Sequence, residues 1–192
     1  MGPVAGFGSI PVRMHNEAVE ALEFEAVVRL YRPRIFRFAL ASLRDRDAAE
    51  TVTQDCFVNA HRAWAQFRGE ATVQTWLMQI AVNLVRDAGK SRRYQFWKRA
   101  ARGSVDVGEA ADWLPDQGLT PEQQAAARQR VEVVWSVLAR LSERQRTVFL
   151  LHFMEEMNAA EIEAATGIPR GAVKVHLFRA VRAVRQKTER LG

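Results

Sequence analysis

The sequence predicts an all-α protein built as two small helical domains. Three observations lead there. Apolar residues recur at helical spacing through most of the chain, and strand-like alternation is found nowhere. Three segments begin with Ser, Thr or Asn followed three residues on by Glu or Gln, the mark of a capped helix start. Between the two helical stretches, residues 103–120 lose the helical period and become rich in Gly, Pro and acids. A run of that kind is unusual inside one compact domain, so it marks a boundary. The expected organisation is a flexible extension over 1–20, a first domain over 21–102, an acidic linker over 103–120 and a second domain over 121–192.

Each element has its own signal. Phe24, Val27, Val28 and Tyr31 form a helical stripe that residues 44–47 interrupt. Asp47 with Glu50 reads as a capping box for a second helix, to about Trp64. Residues 67–72 form a loop with a glycine pivot, and the next helix, to Lys90, carries Trp76, Leu77, Ile80, Ala81 and Leu84 on one face. After the linker, Thr120, Pro121 and Gln123 read as N-cap, first-turn proline and capping partner. Val131, Val134, Trp135, Leu138 and Leu141 supply the stripe of that helix. Ser142 with Gln145 and Asn158 with Glu161 open the next two. Gly167 ends the last of these, and Pro169 starts the final helix.

Composition narrows the function. Hydrophobic residues make up 48% of the chain, enough for a real core. Lys and Arg outnumber Asp and Glu by 28 to 22, a net charge of +6 that suits an anionic partner. The single cysteine, Cys56, rules out an intramolecular disulfide and a cysteine-rich zinc site, and the four histidines lack metal-ligand spacing. No apolar run is long enough to span a membrane, and residues 1–10 lack the pattern of a signal peptide, so a cytoplasmic location is expected. No glycine-rich phosphate loop, metal cluster or nucleophile–base pair is recognisable, so neither an enzyme nor a cofactor is expected. The one adjacent acid pair of note, Glu155 and Glu156, reads as a solvated helix face, because neighbouring helical residues point about 100° apart.

Two segments carry binding chemistry. Residues 158–180 read as a short helix, a glycine turn and a basic helix, the pattern of a helix-turn-helix. On a wheel, Val173, Leu177, Ala180, Val181 and Val184 share one face of the last helix. Gly171, Val175, Phe178, Arg179 and Arg182 share the other, with Lys174 and Arg185 at its edge. Such a face suits a DNA major groove, with the basic residues on phosphates and guanine and apolar side chains on thymine methyls; it also suits a solvated helix packed on a bundle. One residue is awkward. Glu163 stands where the two helices approach, so it must reach solvent or a cation, and a basic residue of the last helix is the expected partner. The second segment runs from Gln79, Asn83, Arg86 and Lys90, which share a helix face, through Arg92 and Arg93 to Arg102, with Tyr94, Phe96 and Trp97 interleaved. Bases with aromatics suit single-stranded nucleic acid, and equally a charged helix end whose aromatics turn inward.

The chain resembles the extracytoplasmic-function (group IV) branch of the bacterial sigma-70 transcription initiation factors. The resemblance is carried by Asp47-Ala-Ala-Glu-Thr-Val-Thr-Gln-Asp-Cys-Phe57, Phe67-Arg-Gly-Glu70, Thr75-Trp-Leu-Met-Gln-Ile-Ala-Val-Asn-Leu84, Leu141-Ser-Glu-Arg-Gln-Arg-Thr-Val-Phe-Leu-Leu151 and Gly167-Ile-Pro-Arg-Gly-Ala-Val-Lys174. It implies a region 2 and a region 4, each with its own work. The helix over about 48–63, with Asp47, Glu50, Gln54, Asp55 and Phe57, would grip the β′ clamp helices of core RNA polymerase. Phe67, Arg68 and Gly69, with Trp76, Gln79, Asn83, Arg86, Lys90, Arg92 and Arg93, would read and melt the −10 promoter element. Region 4 would dock on the β flap and read the −35 element through Arg170, Lys174, Val175, His176, Phe178, Arg179 and Arg182. An anti-sigma protein is an implied partner. The chain departs from the family's usual pattern at Val73, Gln74 and Met78, where aromatics are frequent, and at Val175, where a small polar residue is. The alternative from the residues themselves is a stand-alone helix-turn-helix regulator of duplex DNA. By the same resemblance the acidic linker threads towards positively charged, RNA-binding surfaces of the polymerase, where it would act as an RNA mimic. Neutralising Asp106, Glu109, Asp112 and Asp116 should therefore change abortive product yield or open-complex formation in vitro; unchanged values of both would exclude that role.

Overall fold

The computed structural model describes residues 12–91 and 120–189, and every regular element among them is helical. Helix α1 spans Val12–Leu43. It begins inside the stretch 1–20 expected to be an extension, and the local sequence explains why: Met14, Glu17, Ala18, Glu20, Ala21 and Leu22 are good helix formers. Residues 1–11 lie outside the described residues, as does the whole 92–119 segment with Arg92, Arg93 and the linker acids.

α1 stops where Arg44 turns left-handed (φ 57°) and its N–H donates to the Leu40 carbonyl at 2.8 Å. Asp45 is then extended, and its Oδ1 accepts from the Ala48 N–H at 2.9 Å. Asp45, not Asp47, is thus the N-cap of α2 (Arg46–Ala63). The sequence reading placed this cap two residues late because the left-handed turn at Arg44 already frees Asp45. Asp47 sits in the first turn instead, where a carboxylate suits the helix dipole. Glu50 pairs with Arg32 of α1 at 2.9 Å rather than closing a capping box.

A 3-10 turn (Trp64–Gln66) and a loop lead to α3 (Val73–Lys90), capped by Thr72 through the Thr75 N–H. Gly69 supplies the loop's positive φ of 72°, as its glycine pivot predicts. Phe67 packs against Trp76 at 4.9 Å between ring centroids, and Trp64 stacks on Phe67 at 5.7 Å. Trp64 also meets Phe24 at 5.3 Å, so the aromatics clamp the loop to α1.

The second unit comprises α4 (Pro121–Leu138), α5 (Glu143–Phe153), α6 (Ala159–Thr166) and α7 (Arg170–Thr188). The three capping boxes predicted for α4, α5 and α6 are all formed. Each satisfies amide groups that the first turn of a helix leaves unpaired.

The core of the first unit comes from Ile35 and Phe38 of α1, Val52 and Cys56 of α2, and Leu77 and Ala81 of α3. Burying each large side chain contributes about 1.5–3 kcal/mol. α3 is buried on more than its predicted stripe: Met78, Val82 and Val85 are buried as well. The reason is tertiary, because α3 also packs against α6, and the buried residues of both units form one continuous apolar cluster. The units are further joined at the end of α1. There Arg146 donates from its guanidinium to the Ser42 carbonyl at 3.0 Å, and also to Leu138 and Leu141 at the corner between α4 and α5.

Cys56 lies fully buried between α2 and α3, with its thiol 3.6 Å from the Leu77 carbonyl. Burial pushes its pKa up to about 12. The thiolate is the reactive form, so the folded protein should not react with a thiol-specific reagent at pH 8. Titration in denaturant should recover one thiol per chain, and fast labelling under native conditions would contradict this packing.

Candidate nucleic-acid interface

α6 and α7 meet through a turn built from the sequence outward. Asn158 caps α6, and Gly167 (φ 70°) ends it with its N–H on the Glu163 carbonyl at 2.8 Å. The Thr166 hydroxyl donates to the Ile162 carbonyl at 2.6 Å and accepts from the Ile168 N–H at 3.1 Å, so this polar residue braces the turn. Pro169 precedes α7 but has no side-chain oxygen with which to cap it. Glu163 takes over that task from the neighbouring helix. Its Oε1 accepts from the Arg170 backbone N–H at 3.2 Å, and its Oε2 accepts from the Arg170 Nε at 2.6 Å. The expected cationic partner is therefore Arg170, and the carboxylate both pairs with it and sits at the positive end of α7.

α7 divides as its wheel predicts. Val173 and Ala180 are buried, and Leu177, Val181 and Val184 are half-buried. On the other side Lys174, Arg179, Arg182 and Arg185 are exposed, with Val175 46% and Phe178 66% exposed between them. Two apolar side chains set among exposed cations are poorly placed for solvent alone and well placed for an anionic partner with apolar edges. His176 is not on this face. It is half-buried, its Nδ1 is enclosed without a hydrogen bond, and it lines a cleft of about 350 Å³ between the two units.

In the first unit, Gln79, Asn83, Arg86 and Lys90 form an exposed row on α3, and Arg86 donates to the Asn83 side-chain oxygen. Arg68 and Gly69 are exposed at the loop, while Phe67 and Trp76 are half-buried in the aromatic cluster. Met78 is fully buried, so this departure from the usual aromatic lies in the core and not on the surface row. On α2, Asp47, Gln54 and Asp55 are exposed and Glu50 is half-buried. Asp45, Asp47, Asp55 and Asp87 line an acidic groove between α2 and α3. Phe57 is a correction: it is 8% exposed and belongs to the core, because it lies on the inner side of α2 with Thr53, Cys56 and Ala60.

Glu155 is the residue that sequence reasoning missed. It does not lie on a solvated helix face. It is 1% exposed, in the turn between α5 and α6, while Glu156 beside it is exposed and left-handed (φ 57°). Its Oε2 accepts from the Arg34 Nε at 2.8 Å, and its backbone carbonyl accepts from the Gln74 side chain at 2.6 Å. Burial pushes the carboxyl above the usual carboxylate range, against the pull of the Arg34 and Arg37 charges. Arg34 and Glu155 are 121 residues apart, and no local pattern links them.

Residues 27–94 match the family model of Sigma-70 region 2, and residues 132–184 match that of Sigma-70 region 4. The chain is 31% identical over 179 residues to the ECF RNA polymerase sigma factor SigL of Mycobacterium tuberculosis, covering 91% of this chain and 94% of that one. It is 27% identical over 172 residues to the ECF RNA polymerase sigma-E factor of Escherichia coli, covering 88% and 87%. The fold matches that of the sigma factor RpoE of Bartonella quintana, solved with the anti-sigma factor NepR. That likeness has a TM-score of 0.60 at 19% identity and covers 87% of this chain and 97% of that one. It also matches CnrH, solved with the cytosolic domain of CnrY, at a TM-score of 0.60 and 22% identity over 86% and 87%. No helix among the described residues is long and apolar enough to cross a membrane.

The two hydrogen bonds from Arg170, side chain first and backbone second, hold the Glu163 carboxyl below the usual range. Its stabilisation is thus complete above the ordinary value of 4.5 and is lost as the pH falls through the lowered native value. Glu163→Ala should lower the melting temperature at pH 7, and the gap to wild type should close in acid. A gap that persists unchanged at the lowest pH at which the protein stays folded would mean that the carboxylate does not cap α7.

Proposed function

The chain belongs to the extracytoplasmic-function branch of the sigma-70 family of RNA polymerase sigma factors, and we propose how its surface divides that work. A sigma factor of this kind binds core RNA polymerase and directs it to promoter DNA. α7 reads the −35 duplex, with Lys174, Arg179 and Arg182 on phosphates or guanine and Val175 and Phe178 against base methyls. Arg170, engaged by Glu163, positions the turn. The α3 row of Gln79, Asn83, Arg86 and Lys90, with the Phe67–Trp76 loop and the following Arg92 and Arg93, handles melted −10 DNA. The acidic face of α2, with Asp47, Glu50, Gln54 and Asp55, docks the β′ clamp helices, and the second unit docks the β flap. The protein does no chemistry of its own, acts in the cytoplasm and is held in check by an anti-sigma protein. The sigma factor RpoE of Bartonella quintana, solved with the anti-sigma factor NepR, supports that last reading.

The observation that carries this division is a pair of exposed polar rows on two different helices, each backed by a buried apolar face. With core RNA polymerase and a promoter library, the protein should elicit new start sites. Lys174→Ala with Arg179→Ala should cut the salt dependence of −35 binding by roughly one unit of slope per residue. Asn83→Ala should slow melting and leave −35 duplex binding unchanged. A preparation free of inhibitor that yields no new start sites would overturn the reading.

A further inference from the structure

α7 contains a glycine that its own fold does not call for. Gly171 is the second residue of the helix, and it is exposed. Among the described glycines, Gly69 and Gly167 have positive φ angles, the first in a loop and the second at a helix end. Gly171 has no such angle, so other residues could take its backbone conformation. Crowding does not explain it either, since a Cβ placed there would meet nothing within 4 Å. In a helix glycine is the poorest choice after proline, because it gives up the most backbone freedom on folding. A weak helix former thus stands at an open site where alanine would fit.

Its place on the helix supplies the reason. Gly171 lies in line with Val175, Phe178 and Arg182, and all four are exposed. The other sides of this turn are occupied: Val173 is buried, and Ala172 and His176 line the cleft with the first unit. Along the exposed line, side-chain size rises from none at Gly171, through Val175, to Phe178. Helix Cα atoms lie at a radius of about 2.3 Å, and side chains widen the helix to about 10–12 Å, so a partner can come about 3 Å closer at Gly171 than at Phe178. Over the roughly 10 Å of rise between those two residues, the face becomes a shallow wedge. Its thin end is the N-terminus of α7. The major groove is about 12 Å wide, so a helix fills it with little slack. The N-terminal part of a recognition helix is the part that reaches the base edges, and here that part is the thin end of the wedge.

We propose that Gly171 is the close-approach point of the recognition helix: the bare backbone of α7 lies against the duplex there and sets the tilt at which the helix enters the groove. Gly171 is thus a positioning residue. It lets Lys174, Val175 and Phe178 reach their bases, and a side chain in its place would lift them away. The inference rests on the −35 reading proposed above and deepens it.

The test uses holoenzyme assembled from the full chain and core RNA polymerase, with a duplex carrying the −35 element of a promoter recovered from the library. Gly171→Ala and Gly171→Leu are compared with wild type. Gly89→Ala is the control, since Gly89 is likewise helical with open space at its Cβ position but lies on α3. Alanine and leucine are both good helix formers, so the free Gly171 variants should melt up to about 3 °C above wild type. Affinity for the −35 duplex should fall at least about fivefold in Gly171→Ala, as when a side chain is forced into filled space, and further in Gly171→Leu. Gly89→Ala should leave that affinity unchanged. A gain of stability with a loss of affinity separates a contact with DNA from a need of the fold. Wild-type affinity in Gly171→Ala, a melting temperature that falls together with affinity, or an equal loss of affinity in Gly89→Ala would overturn the proposal. A wild-type holoenzyme that binds no −35 duplex would sink the promoter reading itself, and the role of Gly171 with it. Wild-type binding that the Gly171 variants share would leave that reading standing and remove only the role of Gly171.

Discussion

The arrangement depends on α3 being packed from two sides. A helix with a single apolar stripe can serve one core and present its other face to solvent. α3 has more: Leu77 and Ala81 belong to the three-helix core of the first unit, while Met78, Val82 and Val85 extend the buried surface round the helix. α6 of the second unit lies against it. What stays exposed is a narrow row, Gln79, Asn83, Arg86 and Lys90, with Asp87 beside it. The same packing makes α3 a rigid platform for that row.

The second unit shows how much can be settled by helix ends. Three capping boxes start α4, α5 and α6, and each is closed within a few residues of sequence. α7 lacks a cap of its own because Pro169 brings no acceptor, and Glu163 reaches across the turn to supply one. A glutamate that looks misplaced between two close helices is therefore part of how the recognition helix is oriented. Its exposure and its pairing with Arg170 remove the cost of burying a bare charge. The polar Thr166 follows the same logic, since both of its hydrogen bonds stay within the turn.

Among the described residues, polar contacts between the units meet a helix end and a turn. Arg146 satisfies the Ser42 carbonyl near the end of α1, where a helix leaves such groups unpaired. Arg34 and Gln74 meet the turn at Glu155. These contacts add directionality to an apolar interface that by itself would tolerate sliding.

The sequence by itself determined the helical class, most helix starts, the two-faced character of α7 and the exposed row on α3. These follow from periodicity and capping, which act over a few residues and need no tertiary partner. It also determined that Glu163 must reach solvent or a cation. The start of α2 was misjudged by two residues because the left-handed turn at Arg44 is a backbone choice with no side-chain signature. Phe57 and Asp55 are close neighbours on α2, and only packing decides that one is core and the other surface. His176 was expected near the −35 face and instead points into the cleft between the units, which exists only once they meet. Glu155 was read as solvated and proved to be the most enclosed charge in the described chain, because its partner is 121 residues away. Only the tertiary structure could decide these points, since burial and long-range charge pairing depend on which surfaces meet, and no spacing in the sequence encodes that meeting.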